Sequence, residues 1–328
     1  MGIRFSFSLE GPTLAAVNPS FLNRIRDNDC EAVYVEQTAI NSSAAHASHS
    51  FRLRQELNAR NVRWAEKSGF PHELSIGAGS TVLYLPNERG RHGNFHPASY
   101  KRILTNPEWR SRLVKTHTTA HKILASHDRD RRELDACNSS DALLMNIFCH
   151  PRSSERGPLS SFLSFEANAD LIFGYKPRIS MIGGRVDCTE IDLRIGDLMI
   201  EAKLTEIDFQ VARFELAERY ADFHAVFDPD RLPRRANRLQ SYQLVRGILA
   251  AFAEECRYCL ICDERRPDLI ARWFEVLSAI RHSAQRCRCV LVTWQKISRT
   301  LPKGLRKWLG EKYGIGSHIG KPAAAEAD

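Results

Sequence analysis

The residues best placed to do chemistry together lie in one stretch, Thr189-Glu190-Ile191-Asp192-Leu193-Arg194-Ile195-Gly196-Asp197-Leu198-Met199-Ile200-Glu201-Ala202-Lys203. Side chains alternate across a strand. In the first run, Thr189, Ile191 and Leu193 share one face and Glu190, Asp192 and Arg194 the other. In the second, Leu198, Ile200, Ala202 and Leu204 share a face, opposite Met199, Glu201 and Lys203. The short turn Ile195-Gly196-Asp197 pairs the runs antiparallel and brings Asp192 beside Glu201 and Lys203. Two carboxylates held together repel, so they share a proton or neutralise each other on a cation. Mg²⁺ favours one or two carboxylates plus waters and substrate phosphate oxygens. Lys203 projects with Glu201 and can orient a water or stabilise charge on a phosphoryl group. Acid, acid and lysine around one metal suit hydrolysis of a phosphodiester. The same alternation also describes a solvent-facing hairpin, in which Glu201 and Lys203 form a surface pair worth ~0–1 kcal/mol. Both readings stand on the residues alone.

The elements that must position this hairpin read as follows. Phe51–Lys67 has helical periodicity, and Ser80–Leu85 reads as a strand ended by Pro86. Pro97–Leu104 and Glu108–Ser126 look helical, and His117 and His121 share a face of the latter. With no Glu between them and no third ligand nearby, that face reads as solvated. Ser140–Phe148 is an apolar helix introduced by the capping residues Asn138-Ser139-Ser140. A second helix is expected over Ser160–Phe173, ahead of strands at Asp187–Arg194 and Leu198–Leu204. An amphipathic helix over Phe209–Phe227, a Pro/Arg-rich loop and a helix over Leu239–Glu255 follow. The chain then runs strand (Arg257–Asp263), helix (Leu269–Arg281), strand (Cys289–Thr293) and helix (Gly304–Tyr313). This order predicts an α/β fold, a three-layer α/β/α sandwich around a mixed sheet. Residues 1–132 are expected to form an N-terminal α+β extension, 133–315 the core and 316–328 a disordered tail.

With 328 residues, 43% hydrophobic and 26% charged, the chain can bury a stable core without disulfides. No stretch approaches the ~18 apolar residues of a membrane span. Met1–Ser6 lacks the apolar core of a secretory signal, although Gly2 with Ser6 fits a loose myristoylation pattern. The sequence is read as soluble, cytoplasmic and free of membrane partners. Its net charge of +8 favours anionic partners, nucleic acid above all. The arginines and lysines form runs at Arg129–Arg132, Arg231–Arg238 and Lys296–Lys312, and Lys303, Arg306 and Lys307 of the last either contact phosphates or form the solvated face of a C-terminal helix. Among nine cysteines, Cys256, Cys259 and Cys262 have ligand-like spacing. The apolar residues around them favour buried strands, where Cys259 and Cys262 would point to opposite faces.

In this context the hairpin resembles the PD-(D/E)xK nuclease superfamily, whose core sets a helix before a hairpin carrying Asp and (Asp/Glu)-x-Lys. The stretch from about Glu133 to Gly314 follows that order. Within the superfamily it is most similar to a group of uncharacterised bacterial restriction-endonuclease-like proteins. The similar phrases are Cys137-Asn138-Ser139-Ser140-Asp141-Ala142-Leu143-Leu144, Glu190-Ile191-Asp192, Glu201-Ala202-Lys203-Leu204-Thr205-Glu206, Tyr242-Gln243-Leu244-Val245-Arg246 and Lys312-Tyr313-Gly314-Ile315.

The resemblance implies that Asp192 and Glu201 bind Mg²⁺, with Mn²⁺ as its substitute and the Ala202 carbonyl as a third ligand. Lys203 would be the catalytic lysine, and Glu190 would assist. Many relatives place an acid on the preceding core helix, for which Glu166 is the candidate unless it is a solvent-facing helix acid, and a subset carries Gln on the helix after the hairpin, for which Gln243 is the candidate. Gln240 shares the face of Gln243 and competes with it. Ile191 stands where the superfamily often has Pro. The expected activity is a Mg²⁺-dependent DNA endonuclease of restriction or defence type, and cutting both strands of a duplex favours a homodimer. The alternatives are a non-catalytic DNA-binding protein on this fold, or a repair nuclease whose Cys256, Cys259 and Cys262 hold an iron–sulfur cluster.

Overall fold

A computed structural model describes residues 49–75, 80–85, 90–116, 132–153 and 157–316. His117, His121, the first 48 residues and the tail after 316 lie outside the described residues. The central sheet has five strands, β1 (Leu171–Tyr175), β2 (Ile191–Ile195), β3 (Leu198–Ala202), β4 (Arg257–Cys262) and β5 (Cys289–Thr293). They are ordered β5-β4-β3-β2-β1, parallel from β5 to β3 and antiparallel from β3 to β1. The β2–β3 connection is the two-residue turn Gly196-Asp197, with Gly196 at φ 55°, a conformation that favours glycine. The parallel strands are joined by helical crossovers.

Six helices matter for the site: α1 (residues 49–68), α2 (Pro107–Arg112), α3 (Ser140–Phe148), α4 (Tyr242–Ala253), α5 (Pro267–Ser278) and α6 (Lys303–Tyr313). All five residues of β3 are buried, as expected for a strand covered on both faces. On one side Leu198, Ile200 and Ala202 join a core with Leu53 and Leu57 of α1, α3, and Leu305 and Leu309 of α6. On the other, Met199 joins Leu244 and Ile248 of α4 and Trp273 of α5. The architecture is therefore a three-layer α/β/α sandwich around a mixed sheet, as the sequence predicts. Among the described residues, no helix is long and apolar enough to cross a membrane.

Helix α3 begins where the capping residues place it, with Ser139 Oγ accepting from the Ala142 amide at 3.1 Å. Three expected helices are corrected. The one over Glu108–Ser126 covers only Pro107–Arg112 among the described residues and gives way to a turn, after which Thr116 bridges Arg132. Over Ser160–Phe173 the helix covers only Pro158–Leu163 and is stopped by the left-handed Ser164, after which Asn168, also left-handed, turns the chain into β1. The aromatic and branched run Leu171-Ile172-Phe173 pairs with β2 instead of continuing a helix. Over Phe209–Phe227 the chain forms a two-residue strand, Ala212–Arg213, and single turns at Phe214–Ala217 and Phe223–Val226. Here pairing of Ala212–Arg213 with Arg238–Leu239 competes with helix, and the loop expected over the basic run is a hairpin.

The basic run at the C-terminal end divides. Lys303, Arg306 and Lys307 are exposed on α6, whereas Lys312 is buried. The Lys312 ammonium donates to Asn61 Oδ1 of α1 at 2.5 Å and sits 3.8 Å from the Tyr84 ring centroid. The Asn61 side-chain amide donates back to the Lys312 carbonyl at 3.1 Å. Burial pushes the Lys312 amine well below its ordinary range.

Candidate active site

The ladder between β2 and β3 is paired from Ile195–Leu198 to Leu193–Ile200. One step beyond, Asp192 Oδ2 accepts from the Ala202 amide at 2.8 Å, so the carboxylate takes over from the strand partner. Glu201 is wholly buried and Lys203 is 6% exposed, which removes the reading of a solvent-facing hairpin. Lys203 Nζ donates to Glu201 Oε1 at 2.7 Å. The backbone of Lys203 is held on both sides, its amide by the Ile261 carbonyl at 2.8 Å and its carbonyl by Trp294 Nε1 at 2.9 Å.

Gln243, in the first turn of α4, donates from Nε2 to the same Glu201 Oε1 at 2.5 Å. Its amide and that of Tyr242 are bonded by the Phe209 and Gln210 carbonyls, which fix the start of the helix over β3. Gln240 instead donates to the Arg238 carbonyl, so the structure brings Gln243 to Glu201 and leaves Gln240 aside. Glu166 stands exposed in the turn after Pro158–Leu163 and not on a core helix, a consequence of the shortened helix described above.

The core-helix acid that does act on the hairpin is Asp141 of α3, whose charge reaches Asp192. Asp141 Oδ2 and Glu190 Oε1 are gripped by the same two cations. Arg112 Nη2 of α2 lies 3.1 and 2.9 Å from them, and Lys115 Nζ 3.1 and 3.0 Å. Gly174 makes room for this clamp. At φ 67° it is in the left-handed region, and a Cβ there would sit 2.1 Å from Arg112 Nη1. Glu206 ties the end of β3 to α3, accepting from the Leu204 amide and from Ser140 Oγ, each at 2.6 Å.

Sequence reasoning missed Asp141, Arg112, Lys115 and Arg246. Asp141 could have been noticed as the one carboxylate in an otherwise uncharged, wholly buried helix. Arg246, one turn along α4 from Gln243, is 7% exposed, and its Nε is buried without a hydrogen-bond partner. Cys259 faces one core, whereas Cys256 and Cys262 face the other, so the three thiols do not converge.

The electrostatics divide the acids into two kinds. Burial, then the charges of Glu201 and Asp141, push the Asp192 carboxyl well above the ordinary range, only partly offset by Lys203 and the Ala202 amide. Burial works against the Lys203 ammonium, but Glu201, Glu206 and Asp192 outweigh it and hold the amine protonated. Burial also acts against the Glu190 carboxylate, yet the bonds from Arg112 and Lys115 hold it down to about 2. Glu190 therefore adds stability that is fully present above its ordinary value of 4.5 and is lost as pH falls towards about 2. Glu190→Gln is expected to be less stable than wild type at pH 6 and to converge with it near pH 2. Urea unfolding across that range checks this, and parallel stability curves would contradict it.

Glu201 Oε2 is buried with no hydrogen-bond partner. An orphaned carboxylate oxygen beside an aspartate that resists ionisation is a donor set that a divalent cation would satisfy. Among the described residues, no group of three or more His, Cys, Asp or Glu side chains is placed to hold a metal ion. Any cation here would thus have two carboxylates and complete its shell with backbone, water and substrate oxygens, as Mg²⁺ does. Such a site can hold a phosphoryl group beside a fixed ammonium. No curated protein and no solved structure matches the chain. The family model described as Restriction Endonuclease associating with ARP (REase-ARP) matches residues 45–314, a span that holds every residue of this site, and the chain belongs to that family.

Proposed function

We propose that the protein is a Mg²⁺-dependent DNA endonuclease of the PD-(D/E)xK type, serving restriction or defence. One observation carries this reading: Glu201 is bonded through Oε1 to both Lys203 and Gln243, while its Oε2 is left without a donor beside Asp192. Asp192, Glu201 and the Ala202 carbonyl would hold the metal, which when bound supplies Lewis-acid stabilisation to the phosphodiester. Lys203 keeps its proton and places positive charge where the attacked phosphate gains negative charge. Gln243 holds the Glu201 carboxylate in one orientation, and Arg246 offers a second cation from the same helix. Asp141, rather than the exposed Glu166, takes the part of the core-helix acid, held in place by Arg112 and Lys115. In this reading residues 133–315 are the nuclease core and 1–132 an addition to it, and cutting both strands of a duplex calls for a homodimer.

The test is incubation of purified protein with plasmid, linear duplex and single-stranded DNA, with and without Mg²⁺. Nicking or linearisation of plasmid only with Mg²⁺ is the expected result. Intact plasmid under all conditions would favour a non-catalytic DNA-binding protein and remove the enzymatic reading.

A further inference from the structure

Arg234–Arg235 and Arg238–Leu239 form a hairpin, and Arg238–Leu239 also pairs with Ala212–Arg213, giving a three-stranded ribbon. Arg238 stands opposite Arg213 on one side and Arg235 on the other. Residues directly opposite in antiparallel strands project from the same face, with Cα atoms about 4.5–5.5 Å apart. Three arginines therefore form one row across one face. The reverse face is anchored. Leu239 is buried in the core beside α4, and Arg234, in its row, stacks 3.6 Å from the centroid of the buried Phe214 ring. The arginine row consequently faces outward, and all three residues are exposed.

Like charges directly opposite each other destabilise a sheet, and nothing within the described residues relieves them. Among those residues, the side chains of Arg213, Arg235 and Arg238 have no hydrogen bond and no ion pair. The two carboxylates that reach this hairpin are engaged elsewhere, Glu215 accepting from Asn237 at the tip at 3.0 Å and Asp230 lying 3.7 Å from Arg234 on the reverse face. The tip also carries strain, since Ala236 has φ 49°, where a Cβ is disfavoured. The ribbon is joined to the active site through the backbone. Ser241 follows it at φ 63°, and Gln243, which bonds Glu201, is five positions beyond Arg238.

We infer that the row Arg213–Arg238–Arg235 is a phosphate-backbone cradle that holds a nucleic-acid strand leading to Glu201 and Lys203. The inference rests on the nuclease reading for its substrate class. Arginine suits it because the guanidinium donates two parallel hydrogen bonds to phosphate oxygens. A line of cations with no protein partner matches the evenly spaced charges of a strand better than a single anion.

The test uses the full chain and a labelled non-specific DNA duplex in metal-free buffer, with anisotropy read across a salt series. The variant R213Q/R235Q/R238Q is expected to bind on the order of 10²-fold more weakly at ~0.1 M salt, with the salt slope flattened by about 0.9 for each lost phosphate contact. The variant R213K/R235K/R238K, which keeps the charge, is expected to retain most of the slope. Circular dichroism checks that each variant is folded. Coincident slopes for wild type and the glutamine variant overturn the inference, as does a wild type that binds no duplex. Unchanged duplex binding with lost binding of an acidic protein such as polyglutamate would also overturn it. Cleavage is not read here, so a chain that binds through this row without cutting DNA defeats the catalytic reading alone.

Discussion

Lys203→Ala is expected to lower plasmid cleavage by at least about 10²–10³-fold, the effect of deleting one donor that stabilises a developing negative charge. Were the hairpin solvent-facing, loss of this lysine would leave folding nearly untouched. Its burial changes that expectation. Glu201 is wholly enclosed, and without Lys203 its carboxylate keeps only the bond from Gln243. Breaking a buried ion pair by removing one partner costs about 3–5 kcal/mol. The variant should therefore melt lower than wild type without metal and recover part of the loss when Mg²⁺ is added. Plasmid cleavage and thermal unfolding, each with and without Mg²⁺, check the two halves. Cleavage at the wild-type rate would end the assignment of Lys203.

Asp192→Asn should act in the opposite direction on stability. In the folded chain the Asp192 carboxyl holds its proton to higher pH than it does unfolded, because of burial and the nearby Glu201 and Asp141 charges. Between the ordinary value of 3.8 and the raised one, the folded state binds more protons, so stability falls as pH rises. By neutral pH a penalty of this sign has built up. The asparagine removes it and should make the metal-free protein more stable there, with the gain vanishing below about pH 4. The same substitution takes away a carboxylate from the proposed cation site, so calorimetric Mg²⁺ binding should be lost. Glu201→Gln should likewise lose Mg²⁺ binding. Unchanged Mg²⁺ affinity in either variant would remove the hairpin as the metal site.

The hairpin was legible in the sequence because one local rule decides it. Alternation around Gly196-Asp197 sets Asp192, Glu201 and Lys203 on one side with no distant contact needed to see it, although it breaks at Ile191, which packs in the core opposite to that of Leu193. The sandwich was legible for a related reason, since apolar strands alternating with helices after Glu133 leave few other layouts. What could not be read depends on contacts far along the chain. Gln240 and Gln243 share a helical face, and the choice between them is made by the Phe209 and Gln210 carbonyls that pin the start of α4. Asp141 reads as an ordinary acid in a first helical turn, and its role is visible only when Arg112 and Lys115 arrive from another segment. Periodicity also overreached at Glu166, where Ser164 and Asn168 in left-handed conformations end the helix before the acid. Lys312 counted as surface charge, yet Asn61 and the Tyr84 ring enclose it.

That enclosed lysine sets a timetable for synthesis. The bond between Asn61 and Lys312 spans 251 residues, and both helices contribute to the same core. At ~5–20 residues per second, the ribosome finishes α1 on the order of 10–50 s before α6 has been made. Through that interval Leu53 and Leu57 cannot complete the surroundings they have in the finished protein. A nascent chain that exposes apolar surface for so long is a client for chaperones. Slow codons placed between the two helices should therefore lower the soluble yield more than the same codons placed after residue 316.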